Sequence, residues 1–254
     1  MALPVYPREL PPGMREDEKR RSEIALYDLL RETLPEGYSA IYNLEWTSAF
    51  DKVGEHNLVD VLTMDPPDPG IFPMGEVDFL LITPRCLLII EVKGGELTLE
   101  EGTWYREPHR KVIECPLAQG RRNMFALCGT LKNGWRFHRR FIPTGYAAIL
   151  PHTPAWREGG GLNHWHKLLL FQDHLNGSLV GKLEETLTFW ADLWKKYTGR
   201  QEGLTDMDMK HIISVCVVTA RKGFPIVICG KSYSAPLKRL KRYLDTYPAL
   251  IWSP

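Results

Sequence analysis

The stretch GEVDFLLITPRCLLIIEVKGG, residues 75–95, decides how this chain is read. Residues 77–83 and 87–93 are rich in Val, Ile, Leu and Phe, and Pro84-Arg85-Cys86 separates them at a length that fits a hairpin turn. Gly94-Gly95 ends the second strand. Side chains alternate across a strand, so Glu76 and Asp78 share one face at the start of the first strand, and Glu91 and Lys93 share one at the end of the second. In an antiparallel hairpin those two ends are neighbours, which places Asp78 roughly opposite Glu91. Two or three carboxylates and one lysine therefore gather at the mouth of a very apolar hairpin. Converging carboxylates in a partly dry site repel and need a counterion. Lys93 supplies part of it and a divalent cation suits the rest, because Mg²⁺ is held by one or two carboxylates together with waters and phosphate oxygens.

Upstream, Ile24, Tyr27, Leu30 and Leu34 follow a helical rhythm that predicts a helix over 15–34, stopped by Pro35-Glu36-Gly37. A strand is expected over 38–46 and a Pro-rich loop over 65–73. Residues 1–14 read as an extended lead-in. Downstream, short strands are expected within 97–115, and Pro116 opens a helix that runs to about residue 132. Strands at 143–150 and 167–171 and a helix at 180–197 follow, the last with Leu183, Leu187, Trp190 and Trp194 on one face. The remainder reads as a mixed segment, a strand at 225–229 and a basic helix at 236–244. This order predicts an α/β domain over 15–200 with a mixed central β-sheet flanked by helices, and a basic C-terminal appendage over 201–254.

Asp78, followed after 12 residues by Glu91-Val92-Lys93, resembles the PD-(D/E)XK nuclease superfamily, and more closely its nuclease-related domain (NERD) family. Glu-Val-Asp before the hairpin, Trp104 after it, and CPLAQGRRNMFAL, which puts Gln119 at the start of the next helix, carry the finer likeness over about residues 20–150. Val77 stands where the superfamily's name has proline. The resemblance implies a restriction-endonuclease-like core. It implies that Asp78, Glu91 and the backbone carbonyl of Val92 bind Mg²⁺, or Mn²⁺ in its place, with Glu23 and Glu76 as further acidic candidates. Lys93 would handle the attacking water, and Gln119 would hold a phosphate or that water. The expected activity is metal-dependent hydrolysis of phosphodiester bonds in nucleic acid, DNA before RNA. Two other readings stand beside it: a catalytically degenerate nucleic-acid-binding domain, and a nuclease subunit active only with a helicase or other ATP-driven partner in DNA repair or defence.

Composition sharpens this. The chain has 254 residues, 25% charged and 44% hydrophobic, with 32 Lys+Arg against 31 Asp+Glu. It is too apolar to be disordered and too evenly charged to bind nucleic acid by bulk charge. The near-zero total hides a segregation. Residues 1–104 carry 20 acidic and 9 basic groups, whereas residues 105–145 carry 9 basic and 2 acidic. Arg106, Arg110, Lys111, Arg121, Arg122, Arg136, Arg139 and Arg140 are the candidate phosphate contacts, with Trp135, Phe137 and His138 among them able to stack on bases. A basic tail follows at 238–242.

The other motifs carry less. Five cysteines without CxxC spacing read as free thiols. Asn163-His164-Trp165-His166 lacks an acidic or Cys partner nearby and reads as structural. Cys229-Gly230-Lys231-Ser232 fails as a phosphate loop, because Pro225 stands where the first glycine belongs. The first residues have no apolar h-region, and no apolar run is long enough to span a bilayer, so a cytoplasmic protein without membrane contact is expected, with a homo-oligomer compatible.

Overall fold

The computed structural model describes residues 5–49, 74–134, 142–155, 165–199, 203–221 and 226–229. Its framework is a seven-stranded mixed sheet. The central strands are β2 (Ser39–Ala49), β3 (Met74–Ile82) and β4 (Leu87–Val92), joined antiparallel. β8 (Thr144–Leu150) and β9 (Leu169–Phe171) then add parallel to β4. β1 (Val5–Tyr6) and β10 (Ile226–Cys229) both run parallel to β2, at residues 40–41 and 46–49 respectively. A separate three-stranded antiparallel sheet, β5 (Leu97–Glu100), β6 (Thr103–Arg106) and β7 (Lys111–Ile113), is inserted after β4. This is the mixed α/β, restriction-endonuclease-like core that the sequence implies.

Strand burial follows position in the sheet. Every residue of β4 and β8 is buried, as expected where a parallel pair is covered on both faces. Both strands accordingly read as continuous apolar runs, and Glu91 is a charged intruder in one of them. The β4-to-β8 crossover needs a helix, supplied by α2 (Pro116–Gly134). α1 (Arg21–Thr33) buries Ile24, Leu26, Tyr27 and Leu30. α3 is a single turn (Gln172–Leu175). α4 (Leu179–Thr198) sets Trp190 and Trp194 into the core, and their indole N–H groups donate to the carbonyls of Tyr146 and Thr144 at 2.9 and 2.8 Å. A buried tryptophan keeps its apolar area and satisfies its one donor this way.

Several boundaries differ from expectation. α1 starts at Arg21, not residue 15, because residues 11–20 are spent on turns. Asp17 accepts the Lys19 N–H at 3.0 Å and caps a 3₁₀ turn over Glu18–Arg20, while Arg15 reaches forward to Asp28. The strand expected from residue 167 begins at Leu169; Trp165–Lys167 forms a 3₁₀ turn whose last carbonyl accepts from Thr186 Oγ1 at 2.6 Å. The mixed segment after residue 204 is instead a helix, α5 (Asp206–Arg221). Thr205 and Asp208 cap it reciprocally, the Thr205 N–H donating to Asp208 Oδ2 at 2.8 Å and the Asp208 N–H to Thr205 Oγ1 at 3.3 Å. Met209, Ile212 and Cys216 of α5 join the main core. With β10 paired to β2, residues 206–221 and 226–229 continue the domain's packing past residue 200. The Pro-rich loop at 65–73, the basic helix at 236–244, His164 and Gly230-Lys231-Ser232 lie outside the described residues. Cys86, Cys115 and Cys216 are free thiols. Among the described residues no helix is long and apolar enough to cross a membrane.

Candidate active site

The β3–β4 hairpin closes through Thr83, whose hydroxyl donates to the Cys86 carbonyl at 2.9 Å and accepts the backbone N–H groups of Arg85 and Cys86. Its register runs from Ile82↔Leu87 to Phe79↔Ile90, so the next rung sets Asp78 across from Glu91. That is the pairing the alternation predicts. Asp78 Oδ2 accepts the Val92 N–H at 2.6 Å, fixing its carboxylate against the end of β4.

Glu91 is fully buried, at 0% exposure. An ion there costs several kcal/mol unless paired. Lys93 Nζ stands 3.8 Å from Glu91 Oε2 and donates to Gln119 Oε1 at 2.6 Å. Asp78, Glu91, Lys93 and Gln119 thus come together at the junction of β3, β4 and α2. Gly120 eases the approach: an added Cβ would meet Tyr146 Cβ at a tight 3.3 Å and Glu91 Cγ at 3.5 Å, so any larger residue would press α2 off β4 and β8.

Asn123 was not foreseen. It stands four residues after Gln119, on the same helix face. Its Nδ2 donates to Glu91 Oε1 and, at 2.8 Å, to the main-chain carbonyl of Glu76. One oxygen of Glu91 is therefore pinned. The other, Oε2, is buried without a hydrogen-bond partner.

Burial, and then the charge of Asp78, push the Glu91 carboxyl well above the ordinary carboxylate range, against the opposing pull of Lys93 and Asn123. Burial likewise raises Asp78, against the Val92 N–H and Lys93. The chemistry of this donor set suits a divalent cation: two partly dry carboxylates, the buried Glu91 with an unpartnered oxygen and Asp78 lining a cleft together with Val92.

Glu23 and Glu76 are held by a different hub. Arg20 Nη1 donates to Asn43 Oδ1 at 2.8 Å and to Glu23 Oε2 at 3.3 Å, and its Nη2 donates to Glu76 Oε1 at 3.4 Å. Tyr42 Oη also donates to Glu23 Oε2, at 2.8 Å. Burial, with the nearby charge of Asp78 second, raises the Glu23 pKa. Asn43 faces Asp78 across β2 and β3 in a left-handed conformation, φ +54, which Asn tolerates better than most residues. Among the described residues, no group of three or more His, Cys, Asp or Glu side chains gathers as a metal site. The cluster is the two carboxylates of Asp78 and Glu91, and Glu23 stands close enough to feel the Asp78 charge.

A cleft of about 680 Å³ opens in front of Asp78 and Lys93, and Glu23 and Arg106 also line it. Arg106 is the one proposed phosphate contact that faces this cleft among the described residues. Arg110 pairs with Glu100 at 2.7 Å and lies over the Tyr105 ring, Lys111 is exposed, and Arg122 pairs with Glu114. Arg121 sits partly buried on α2, near enough to Tyr146 and Cys115 to influence both. Arg136, Arg139 and Arg140, with Trp135, Phe137 and His138, lie outside the described residues.

No curated protein and no solved structure matches this chain. A family model described as nuclease-related domain matches residues 18–144. That span opens at the 3₁₀ turn before α1, closes at the first residue of β8, and contains Asp78, Glu91, Lys93, Gln119 and Asn123. The chain therefore belongs to the nuclease-related domain family.

Proposed function

We propose that the protein is a metal-dependent nuclease that hydrolyses phosphodiester bonds, with DNA as its substrate. One observation carries the reading. A fully buried glutamate in an otherwise apolar strand has one oxygen pinned by Asn123 and the other left without a hydrogen bond, beside Asp78 and Lys93. A structural glutamate would have both oxygens satisfied.

In this mechanism Asp78, Glu91 and the carbonyl of Val92 would hold Mg²⁺, or Mn²⁺ in its place. When bound, the ion supplies Lewis-acid stabilisation of charge on the phosphoryl oxygens. Lys93, aimed by Gln119 Oε1, presents its ammonium to the attacking water and to the negative charge that grows on phosphorus-bound oxygen. Gln119 keeps its amide N–H₂ for a phosphate oxygen or for that water. Asn123 holds Glu91 in one rotamer, so that no reorganisation is needed when the ion and substrate arrive. Arg20 and Tyr42 hold the Glu23 carboxyl at the edge of the cleft and oppose, without cancelling, the upward push of burial and Asp78 on its pKa. Substrate is nucleic acid in the cytoplasm, and an ATP-driven partner such as a helicase would feed it.

The test is cleavage of linear and circular DNA and of RNA, with Mg²⁺, with Mn²⁺ and with chelator. Cleavage with either metal, lost on chelation and lost in Asp78→Ala, Glu91→Ala and Lys93→Ala with the fold intact, is expected. Full activity in the Lys93 or Asp78 variant would overturn the mechanism. Tight binding without cleavage under every condition would favour the degenerate binding domain instead.

A further inference from the structure

The cleft in front of Asp78 is larger than one scissile phosphate needs. At about 680 Å³ it falls within the usual range of small-molecule sites, roughly 300–1,000 Å³. Past Lys93 its wall is built from Gly95, Arg106 and His152. Gly95 has φ +85, and an added Cβ would lie 3.3 Å from both Cγ and Cδ of Arg106. The arginine stem therefore runs along bare backbone.

His152 is held from the other side. The Gly95 N–H donates to His152 Nδ1 at 3.1 Å, and one step on the Leu97 N–H donates to Thr153 Oγ1 at 2.9 Å. The turn after β8 is thus laced twice to the link between β4 and β5. A ring that accepts at Nδ1 carries its proton on Nε2 in the neutral form, so His152 offers a donor.

Arg106 rises from β6 opposite Leu97. Its Nε is buried without a hydrogen-bond partner, and it makes no ion pair among the described residues. An anion in the cleft does not reach that covered N–H, but the terminal nitrogens of the fork make no hydrogen bond among the described residues and are left for an anion's oxygens. A planar fork beside an imidazole N–H is a good match to a tetrahedral phosphate.

We propose that Arg106 and the Nε2–H of His152 form a second phosphate subsite, which holds the phosphodiester next to the scissile one. The subsite rests on the nuclease reading above and deepens it: the substrate is a polynucleotide gripped at two successive phosphates. Asp78, Glu91 and Lys93 act at one and Arg106 with His152 at the other. Remote binding of this kind positions the reacting phosphate without touching it.

The test is metal-free binding of the full chain to a fluorescein-labelled DNA duplex, read by anisotropy across a salt series. A set of duplexes, each with one neutral methylphosphonate linkage, accompanies it. Arg106→Ala is expected to lower the slope of log affinity against log salt by about one, the loss of a single phosphate contact. His152→Ala is expected to weaken binding several-fold. One methylphosphonate position should weaken the unsubstituted protein but cost Arg106→Ala nothing further. Arg106→Lys keeps the charge and stem but not the fork, and should lose affinity with an unchanged melting curve, so the result does not hinge on the alanine variant folding. Unchanged affinity and salt slope in folded variants, or methylphosphonate penalties that add at every position, would overturn the subsite. If Asp78-dependent cleavage survives alongside that outcome, the nuclease reading stands without it. If the unsubstituted protein binds neither DNA nor RNA, both fall.

Discussion

The side-chain amide of Asn123 grips one oxygen of Glu91 from helix α2 and leaves the other turned toward Lys93. The same nitrogen also donates to the Glu76 carbonyl on β3, so one residue ties α2 to both strands of the hairpin. Asn123→Ala should destabilise the protein by about 1–3 kcal/mol, the usual cost of leaving a buried acceptor without its partner. It should also weaken Mn²⁺ binding about 10- to 100-fold, as loss of a supporting partner typically does. Denaturation and calorimetric titration read the two effects separately. An unchanged metal affinity in the folded variant would reduce Asn123 to a packing role.

Without metal, stability should fall as pH rises. Burial and Asp78 hold the folded Glu91 carboxyl above its ordinary range, while the unfolded chain releases that proton near pH 4.3, roughly. Between those values the folded state binds more protons. Its stability is then full below the unfolded pKa and is lost progressively as pH climbs through the folded one. Glu91→Gln should flatten the urea-midpoint profile over this window. Parallel profiles for the two proteins would show that Glu91 does not titrate as described.

Metal should reverse that trend. Binding to the folded state alone adds stability by mass action, about 2.7 kcal/mol at a hundredfold excess over the dissociation constant. Because protons compete for the carboxylates, the gain in melting temperature with Mg²⁺ should be larger at the upper end of the pH range than at the lower. Asp78→Asn should abolish the gain. A melting temperature indifferent to Mg²⁺ and Mn²⁺ at every pH would count against the donor set.

Gln119→Ala removes the acceptor that aims Lys93. A misplaced catalytic group can cost about 100-fold in rate, and kcat should fall by about that factor. KM should rise by a smaller factor, because the lost amide is only one of several phosphate contacts. A rise in KM with kcat intact would move Gln119 from orienting Lys93 to binding substrate.

Trp190→Ala probes the scaffold instead. The ring is fully buried, packs tilted against Tyr146 with centroids 4.9 Å apart, and donates to the Tyr146 carbonyl. Its loss should cost about 3–5 kcal/mol, seen as a lower denaturation midpoint. Stability within 1 kcal/mol or so of the parent would mean that the site collapses around the cavity.

The parts legible in the sequence were those set by local periodicity. Alternation along residues 75–95 placed Asp78 across from Glu91, and helical spacing found the face of α4. What escaped depends on partners distant in sequence. Asn123 carried a faint signal, four residues after Gln119, but only the approach of α2 over Gly120 brings it to Glu91. Arg20 was visible as a neighbour of Glu23, yet its bonds to Asn43 and Glu76 cross 23 and 56 residues. The basic run at 105–145 was read by charge alone. Arg110 and Arg122 prove to be paired with carboxylates, and Arg106 alone of the described set turns to the cleft. The start of α5 was within reach, since Thr205-x-x-Asp208 is a capping pattern.

β1 and β10 lie end to end along the same side of β2, whose other side is taken by β3. An unpaired strand margin is a template for association with other chains. Here that margin is covered by two short strands from distant parts of the chain, and the opposite margin, β9, is only three residues long. The cover is unequal in time. A ribosome delivers β1 before β2, but Ile226–Cys229 only after every other strand of the sheet among the described residues. Residues 46–49 therefore stay open to intermolecular pairing through most of synthesis, and chains truncated before residue 226 keep that opening. Such fragments should aggregate more readily than the whole protein, through one margin of one strand.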